Sequence, residues 1–188
     1  MEDAFVNALK QFMNKQIELA EKSDDGLPYE FQATATLTDG LTVEVKARHF
    51  SLVLDQPPGS CGLDRGPNPE EVMLGAIAAC QAMTAQYYAA LLNTPLKHYE
   101  VKMNGKLEES GFFGVDLARQ GFESVTCDTH IESDAPLDDV KELQRIVEER
   151  CAAHATLRRS VNVTSNTSYG GHKVRRWFLP KTHPPKDE

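Results

Sequence analysis

The 188-residue sequence lacks any apolar run near the roughly 20 residues that a membrane-spanning helix needs. Its first residues, MEDAFVNALK, are acidic and lack the apolar core of a secretory leader. Cysteine is sparse as well, and the four cysteines stand too far apart for the dense framework of a small secreted domain. We therefore expect a cytoplasmic protein without a membrane segment, whose thiols are free or reactive.

Positive charge is also scarce. Lys and Arg number 20 against 28 Asp and Glu, and the resulting net charge of −8 argues against a general nucleic-acid or anionic-membrane binder. The basic and aromatic stretch HKVRRWF at His172–Phe178 is the local exception, and its place in a tail favours a surface or interface element. The chain has no phosphate-binding glycine motif, no G-x-S-x-G and no H-E-x-x-H, so we expect no cofactor and no metal.

The hydrophobic period changes along the chain. Helical spacing predicts an amphipathic helix over 3–22, and turn formers end it. Alternating residues predict strands at 31–37, 41–47, 49–55, 98–108, 122–133 and 161–167, and a second helical pattern covers 136–154, with Asp134 as its possible cap. The long segment 109–121 between two strands is placed to form a lip over a site. This order of elements predicts one α+β domain.

A further helix, predicted from Pro69 to about Leu92, is the most distinctive segment. A Pro/Gly-rich loop leads into it, Asn68 suits its N-cap, and Glu70 lies in the first turn, where the helix dipole favours a carboxylate. The helix is rich in alanine and apolar almost all round, which predicts a central buried helix. Cys80 stands within it.

Cys80 and Cys151 occupy comparable places, because each lies on the apolar face of one of the two core helices. If those helices pack together, the thiols can come within disulfide range, with Cα atoms about 4.4–6.8 Å apart. Two unrelated core cysteines are the alternative. Cys61 is interpreted as an incidental loop thiol and Cys127, on an alternating strand, as packing. Cys151 and His154 have zinc-like spacing, but a structural zinc site needs a second pair of ligands, which the sequence lacks.

The segment GLDRGPNPEEVMLGAIAACQAMTAQYYA resembles the signature helix of the OsmC/Ohr family of thiol-dependent hydroperoxide reductases. Its specific parts are the Gly66-Pro-Asn-Pro-Glu lead-in and the Ala-Ala-Cys80 ending, and the likeness extends over about 31–167. The resemblance implies an OsmC-like fold, with antiparallel sheets wrapped around two long central helices in an intertwined homodimer. It divides the chain into an N-terminal helical extension (1–27), an OsmC-like domain (28–168) and a C-terminal tail (169–188).

Carried over by position, the resemblance implies that Cys80 is the peroxidatic cysteine and Cys151 the resolving one. Glu70 would be the carboxylate that pairs with an active-site arginine, which is Arg48 or, nearer the motif, Arg65. The implied reaction reduces organic hydroperoxides in oxidative-stress defence, and an external thiol or lipoyl-type dithiol reopens the resulting disulfide. After Cys151 this chain reads AAH where relatives often carry proline. The competing hypothesis is a binding or carrier module of the same fold for small apolar or thiol-reactive molecules.

The spacing of Glu70 and Cys80 has a consequence that does not depend on the resemblance. Ten residues of one continuous helix separate two side chains by about 15 Å in height. Glu70 therefore cannot lie beside the thiol of its own helix. If both serve one site, the glutamate comes from a second subunit whose helix crosses antiparallel.

Overall fold

The computed structural model describes residues 2–115 and 121–178. The described ranges contain α1 (Glu2–Glu21), β1 (Thr34–Asp39), β2 (Thr42–Ala47), β3 (Phe50–Leu54), α2 (Pro69–Leu92), β4 (His98–Leu107), β5 (Phe122–Glu132), α3 (Leu137–Arg150), α4 (Ala152–Arg158), β6 (Thr164–Tyr169) and β7 (His172–Phe178). A short 3-10 turn, Pro58–Ser60, lies in the loop before α2. The strands form the antiparallel sheet β1–β2–β3 and the two hairpins β4–β5 and β6–β7. The predicted α+β class is confirmed.

Helix α2 begins as the sequence predicts. Asn68 Oδ1 accepts the backbone N–H of Glu71 at 2.8 Å, and Glu71 Oε2 accepts the N–H of Asn68 at 2.8 Å. This reciprocal capping satisfies two of the donors that a helix start leaves unpaired. The helix then runs without a break through Gly75 to Leu92, so the height difference between its first turn and Cys80 stands.

The burial of α2 differs from the prediction. Within the chain the helix is not buried all round, because its buried residues form a single stripe of Ile77, Gln81, Ala85, Ala89 and Ala90. That stripe faces α3 and the hairpin β4–β5, where Leu143 and Val147 complete a fully enclosed core. Outside that stripe α2 carries exposed apolar side chains, since Met73, Met83 and Tyr87 are 45%, 65% and 36% exposed.

Helix α1 packs along α2, as an amphipathic helix should. Lys10 Nζ donates to Asn93 Oδ1 over 2.6 Å, and the rings of Phe12 and Tyr87 lie 5.8 Å apart between centroids. Both contacts fall near the C-terminal end of α2. The sequence-predicted helix is therefore present, and it covers the far end of α2 rather than the part that precedes Cys80.

The sheet β1–β3 has one apolar face and one polar face, as strict alternation requires. Cross-strand pairing puts the apolar side chains together on one face, namely Ala35, Leu37, Val43, Val45, Ala47, Phe50, Leu52 and Leu54. Much of this face is uncovered, since Leu37 is 66% and Phe50 55% exposed. Among the described residues the sheet makes no extended contact with a helix of its own chain.

The predicted helix over 136–154 is two helices. It breaks at Cys151, whose backbone is extended (φ −63°, ψ 113°), and α4 restarts from that residue. Cys151 is the N-cap residue of α4 without a side-chain capping bond, and its backbone carbonyl accepts the N–H of Ala155 at 2.9 Å. The prediction of Asp134 as the cap of α3 is wrong, since Pro136 occupies that position and Asp134 pairs with Lys97 at 2.5 Å.

The C-terminal region holds more structure than a polar tail. The predicted strand at 161–167 is observed as β6, displaced toward the C-terminus, and it pairs with β7 across a turn at Gly170 and Gly171. Both glycines have positive φ, 56° and 82°, which a hairpin turn of this kind requires. The predicted lip at 109–121 lies partly outside the described residues. Everything after Phe178 lies wholly outside them.

Candidate active site

Cys80 and Cys151 meet where α2 packs against α3 and α4. Their side chains are near enough that Cys80 raises the pKa of Cys151, and both thiols are free. Cys151 is completely buried, whereas Cys80 is only partly buried. The structure therefore brings together the two cysteines that the sequence singled out, with one thiol accessible from outside and the other enclosed behind it.

The environment of Cys151 favours the protonated thiol. Burial raises the pKa of Cys151, and the adjacent Cys80 side chain raises this pKa too. The backbone N–H groups of His154 and Ala153 act in the opposite direction because they stabilise a thiolate, but the net shift is upward. Since the thiolate is the reactive form of cysteine, this shift lowers the reactivity of the free Cys151 thiol.

A third thiol and a buried amide adjoin the pair. Gln81, the residue after Cys80, is fully buried. The Cys127 thiol donates to Gln81 Oε1 over 3.0 Å, while Gln81 Nε2 lies 3.2 Å from His154 Nδ1. Cys127 lies on β5 opposite Met103 and is exposed, so its interpretation as a packing residue is wrong. The Gln81 amide therefore links Cys127 to His154, which lies three residues after Cys151.

Tyr99 closes the inner side of this group. Its hydroxyl donates to Gln144 Oε1 over 2.7 Å. Burial, with further contributions from Cys127, Glu148 and Cys151, raises the pKa of Tyr99 to about 12. The phenol therefore stays neutral at physiological pH and serves as a fixed hydrogen-bond donor on the wall of the site.

Neither candidate arginine lies at the thiols of its own chain. Arg48 is in the two-residue turn between β2 and β3, with a left-handed backbone (φ 56°), and its guanidinium lies 5.1 Å from the centroid of the Phe50 ring. Arg65 Nη1 pairs with Asp39 at 3.0 Å and reaches Thr42 Oγ1 at 3.4 Å. Arg65 is thus paired with Asp39 at the edge of the sheet, whereas Arg48 is exposed at the β2–β3 turn.

Asp55 fixes the loop that carries Arg65. Its carboxylate is almost fully buried and accepts hydrogen bonds from Thr42 Oγ1 at 3.0 Å, Gln56 N at 2.8 Å and Arg65 N at 3.3 Å. Burial would raise the pKa of Asp55, but these donors outweigh it and hold the pKa below its usual value. The backbone of the loop before α2 is therefore tied to the β1–β3 sheet.

Glu70 is exposed in the first turn of α2. The capping role in that turn belongs to its neighbour Glu71, and within the described residues the Glu70 carboxylate has no hydrogen bond or ion pair. Its position at one end of α2, far from Cys80, agrees with the height argument. In a single chain Glu70 and Arg48 are therefore both exposed charges outside the thiol pair.

Sequence reasoning missed Gln81 as a site residue and gave Tyr99 no role. A signal for Gln81 was present, since it is a polar residue in an apolar stretch and shares the buried face of Ile77 and Ala85. Tyr99 carried no comparable signal because aromatic residues on half-buried strands are common. Cys61 is exposed in its loop, as expected of an incidental thiol. No cluster of three metal-ligating side chains occurs in the described parts of the chain.

The protein is thus an α+β protein in which a partly exposed thiol lies near a buried one. Comparison with known proteins shows the family. A family model described as "OsmC-like protein" matches residues 62–166, which is more than half of the chain. The chain therefore belongs to the OsmC-like family, and the resemblance seen in the sequence is confirmed.

Individual relatives agree with this assignment. A curated protein named hydroperoxide reductase, from Mycoplasma genitalium, is 27% identical over 142 residues, covering 74% of this chain and 94% of that protein. The solved OsmC-like protein from Mycoplasma pneumoniae has a TM-score of 0.62 at 22% identity, over 70% of this chain and 89% of its own. An organic hydroperoxide resistance protein OsmC from Legionella pneumophila gives 0.54 at 20% identity, over 70% and 91%. These structures support the fold.

None of the helices described here is long and apolar enough to cross a bilayer.

Proposed function

We propose that this protein is a homodimeric, cysteine-based reductase of organic hydroperoxides that needs no bound cofactor. The observation that carries the proposal is the proximity of partly buried Cys80 to fully buried Cys151 in a chain of the OsmC-like family. The relative that is named hydroperoxide reductase supports the same chemistry, because the match spans nearly all of that protein.

The first step is attack by the Cys80 thiolate on the peroxide. A sulfur–oxygen bond forms, the O–O bond breaks, and the departing alkoxide takes a proton and leaves as the alcohol. Cys80 becomes a sulfenic acid. Met83, one turn from Cys80 on α2, is 65% exposed and gives the approach an apolar character that suits organic hydroperoxides better than hydrogen peroxide.

The second step closes a disulfide. The sulfur of Cys151 attacks the Cys80 sulfur, the S–O bond breaks, and hydroxide leaves as water with the proton of the Cys151 thiol. A disulfide shields Cys80 from further oxidation. An external thiol or lipoyl-type dithiol then returns both cysteines to the reduced state by exchange.

The proposed dimer completes the site. The apolar face of β1–β3 is uncovered within one chain, and so is the side of α2 that carries Met73 and Met83, so each is suited to cover its counterpart on a second copy. Arg48 extends from that sheet and Glu70 is unpaired. In the dimer they would approach the thiols of the partner chain, where a guanidinium favours a thiolate and stabilises the departing oxygen.

A mass measurement tests the proposed reaction. After one equivalent of an organic hydroperoxide, the reduced protein should lose two hydrogens, and peptide mapping should place the new disulfide between Cys80 and Cys151. An unchanged mass while the peroxide persists would contradict the reaction and favour the binding or carrier function of the same fold.

Subunit complementation tests the shared site. A Cys80→Ser chain and a Glu70→Ala chain, each impaired alone, should regain peroxide consumption when they are mixed and allowed to exchange. Each heterodimer holds one complete site, with Cys80 from one chain and Glu70 from the other, so random exchange should restore about a quarter of wild-type activity.

The matched control replaces the first partner by a Cys80→Ser/Glu70→Ala double variant. That chain exchanges equally well but cannot supply the glutamate. The peroxidase activity per Cys80-containing chain should therefore stay at that of the Glu70→Ala parent. If the first mixture also stays there despite measured exchange, Glu70 acts only as a favourable first-turn residue of α2.

A further inference from the structure

Gln81 is a buried polar side chain with no part in the two chemical steps above. It is completely enclosed, and both ends of its amide are engaged, Oε1 by the Cys127 thiol and Nε2 by His154 Nδ1. A buried amide is costly unless it is paired in this way. An apolar residue would fill the same place in the core without needing partners, so the bonds of Gln81 point to a role beyond packing.

The position of Gln81 links two elements. It follows Cys80 on α2, and a helix turns each residue by about 100°, so Gln81 faces the core beside the thiol. His154 lies in the first turn of α4, the helix that follows Cys151 and whose Ala155 N–H bonds the Cys151 carbonyl at 2.9 Å. The amide therefore ties the helix that carries Cys80 to the short helix that begins at Cys151.

The bonds also define the donors and acceptors of the group. The Cys127 thiol donates to Oε1. Nε2 of the amide can only donate, so Nδ1 of His154 is the acceptor in this pair. Cys127 thus serves here as a hydrogen-bond anchor for the amide, at the opposite end from His154.

We propose that Gln81 is a positioning residue for disulfide formation, anchored by Cys127 and acting through His154 on the turn that carries Cys151. The inference rests on the proposed hydroperoxide reductase function. Gln81 leaves the attack of Cys80 on peroxide unaffected. It keeps the sulfur of Cys151 against that of Cys80, so that Cys80 sulfenic acid and the Cys151 thiol condense to a disulfide and water before a second peroxide arrives.

The test separates the two steps in the full-length protein. In Gln81→Leu, rapid mixing with an organic hydroperoxide should oxidise Cys80 at the wild-type rate, as measured by trapping the sulfenic acid. Formation of the Cys80–Cys151 disulfide should slow by about five- to tenfold, which corresponds to the loss of one or two hydrogen bonds. Overoxidised Cys80 should increase in proportion. A role limited to stability would lower the melting temperature without changing this partition.

Variants at the anchor keep the proposal testable if Gln81→Leu does not fold. Cys127→Ser retains a donor for Gln81 Oε1 and should form the disulfide at nearly the wild-type rate. Cys127→Val removes the donor and should slow the step. Gln86→Leu is the matched control, because Gln86 is a half-buried glutamine on the same helix without a hydrogen bond among the described residues.

The outcomes are distinct. If the wild-type protein shows no oxidation of Cys80, the proposed function fails and not this inference alone. If wild-type protein forms the disulfide and Cys127→Val forms it equally fast, the positioning role is overturned. Equal slowing in Cys127→Ser and Cys127→Val would also contradict it, because the hydrogen bond would then be irrelevant.

Discussion

Replacement of Cys80 by serine should reduce peroxide consumption to the uncatalysed level. Serine is close to cysteine in size, so the packing of α2 is kept, but its hydroxyl stays protonated at neutral pH and cannot replace the thiolate as nucleophile. The measurement is the consumption of an organic hydroperoxide in the presence of excess dithiol, with circular dichroism and sedimentation used to show an unchanged fold and assembly.

Cys61→Ser is the control for this experiment. Cys61 is exposed in the loop before α2, and it should be replaceable without loss of turnover. Substantial activity in Cys80→Ser would remove Cys80 from the role of nucleophile. Peptide mapping of the oxidised protein would then identify the thiol that reacts instead.

Replacement of Cys151 by serine should limit the protein to a single reaction. Cys80 remains able to attack one equivalent of peroxide, but no thiol follows it, so sulfenic acid and then sulfinic acid accumulate on Cys80. Mass spectrometry should show an increase of one and then two oxygen atoms instead of a loss of two hydrogens, and turnover with a dithiol should stop as the sulfinic acid forms.

Normal turnover of Cys151→Ser would mean that another group resolves the sulfenic acid. Cys127 and Cys61 can be separated in that case by combining each serine replacement with Cys151→Ser. The burial of Cys151 adds an expectation about order. Because its pKa is raised and it is enclosed, the wild-type protein should be oxidised first at Cys80.

The elements that carry strong local signals were predictable. Asn68 and Pro69 predicted the start of α2, and the structure has that start. The capping contacts, between Asn68 and Glu71, lie within one turn. The proximity of Cys80 and Cys151 was one of two open alternatives, because two apolar helical faces can pack on each other, and the family resemblance favoured it. Local chemistry was enough for the helix start alone.

The errors arise where a tertiary contact overrides the local pattern. The helical pattern continues through Cys151, yet the chain breaks there, where the backbone turns extended and the thiol is fully buried beside α2. The hairpin β6–β7 was missed although Gly170 and Gly171 form a two-residue turn signal, since the strand after it is basic rather than alternating. Cys127 was interpreted from its strand alone, and its partner on α2 cannot be read from sequence spacing.

The break at Cys151 has a mechanical consequence. Oxidation must draw two sulfurs from contact to a bond of about 2.05 Å, and some part of the protein has to yield. Leu143 and Val147 of α3 are locked in the core, but α4 has only seven residues, none of them buried. In the proposed reaction we therefore expect α4 to move when the disulfide forms, while the core packing of α3 stays the same.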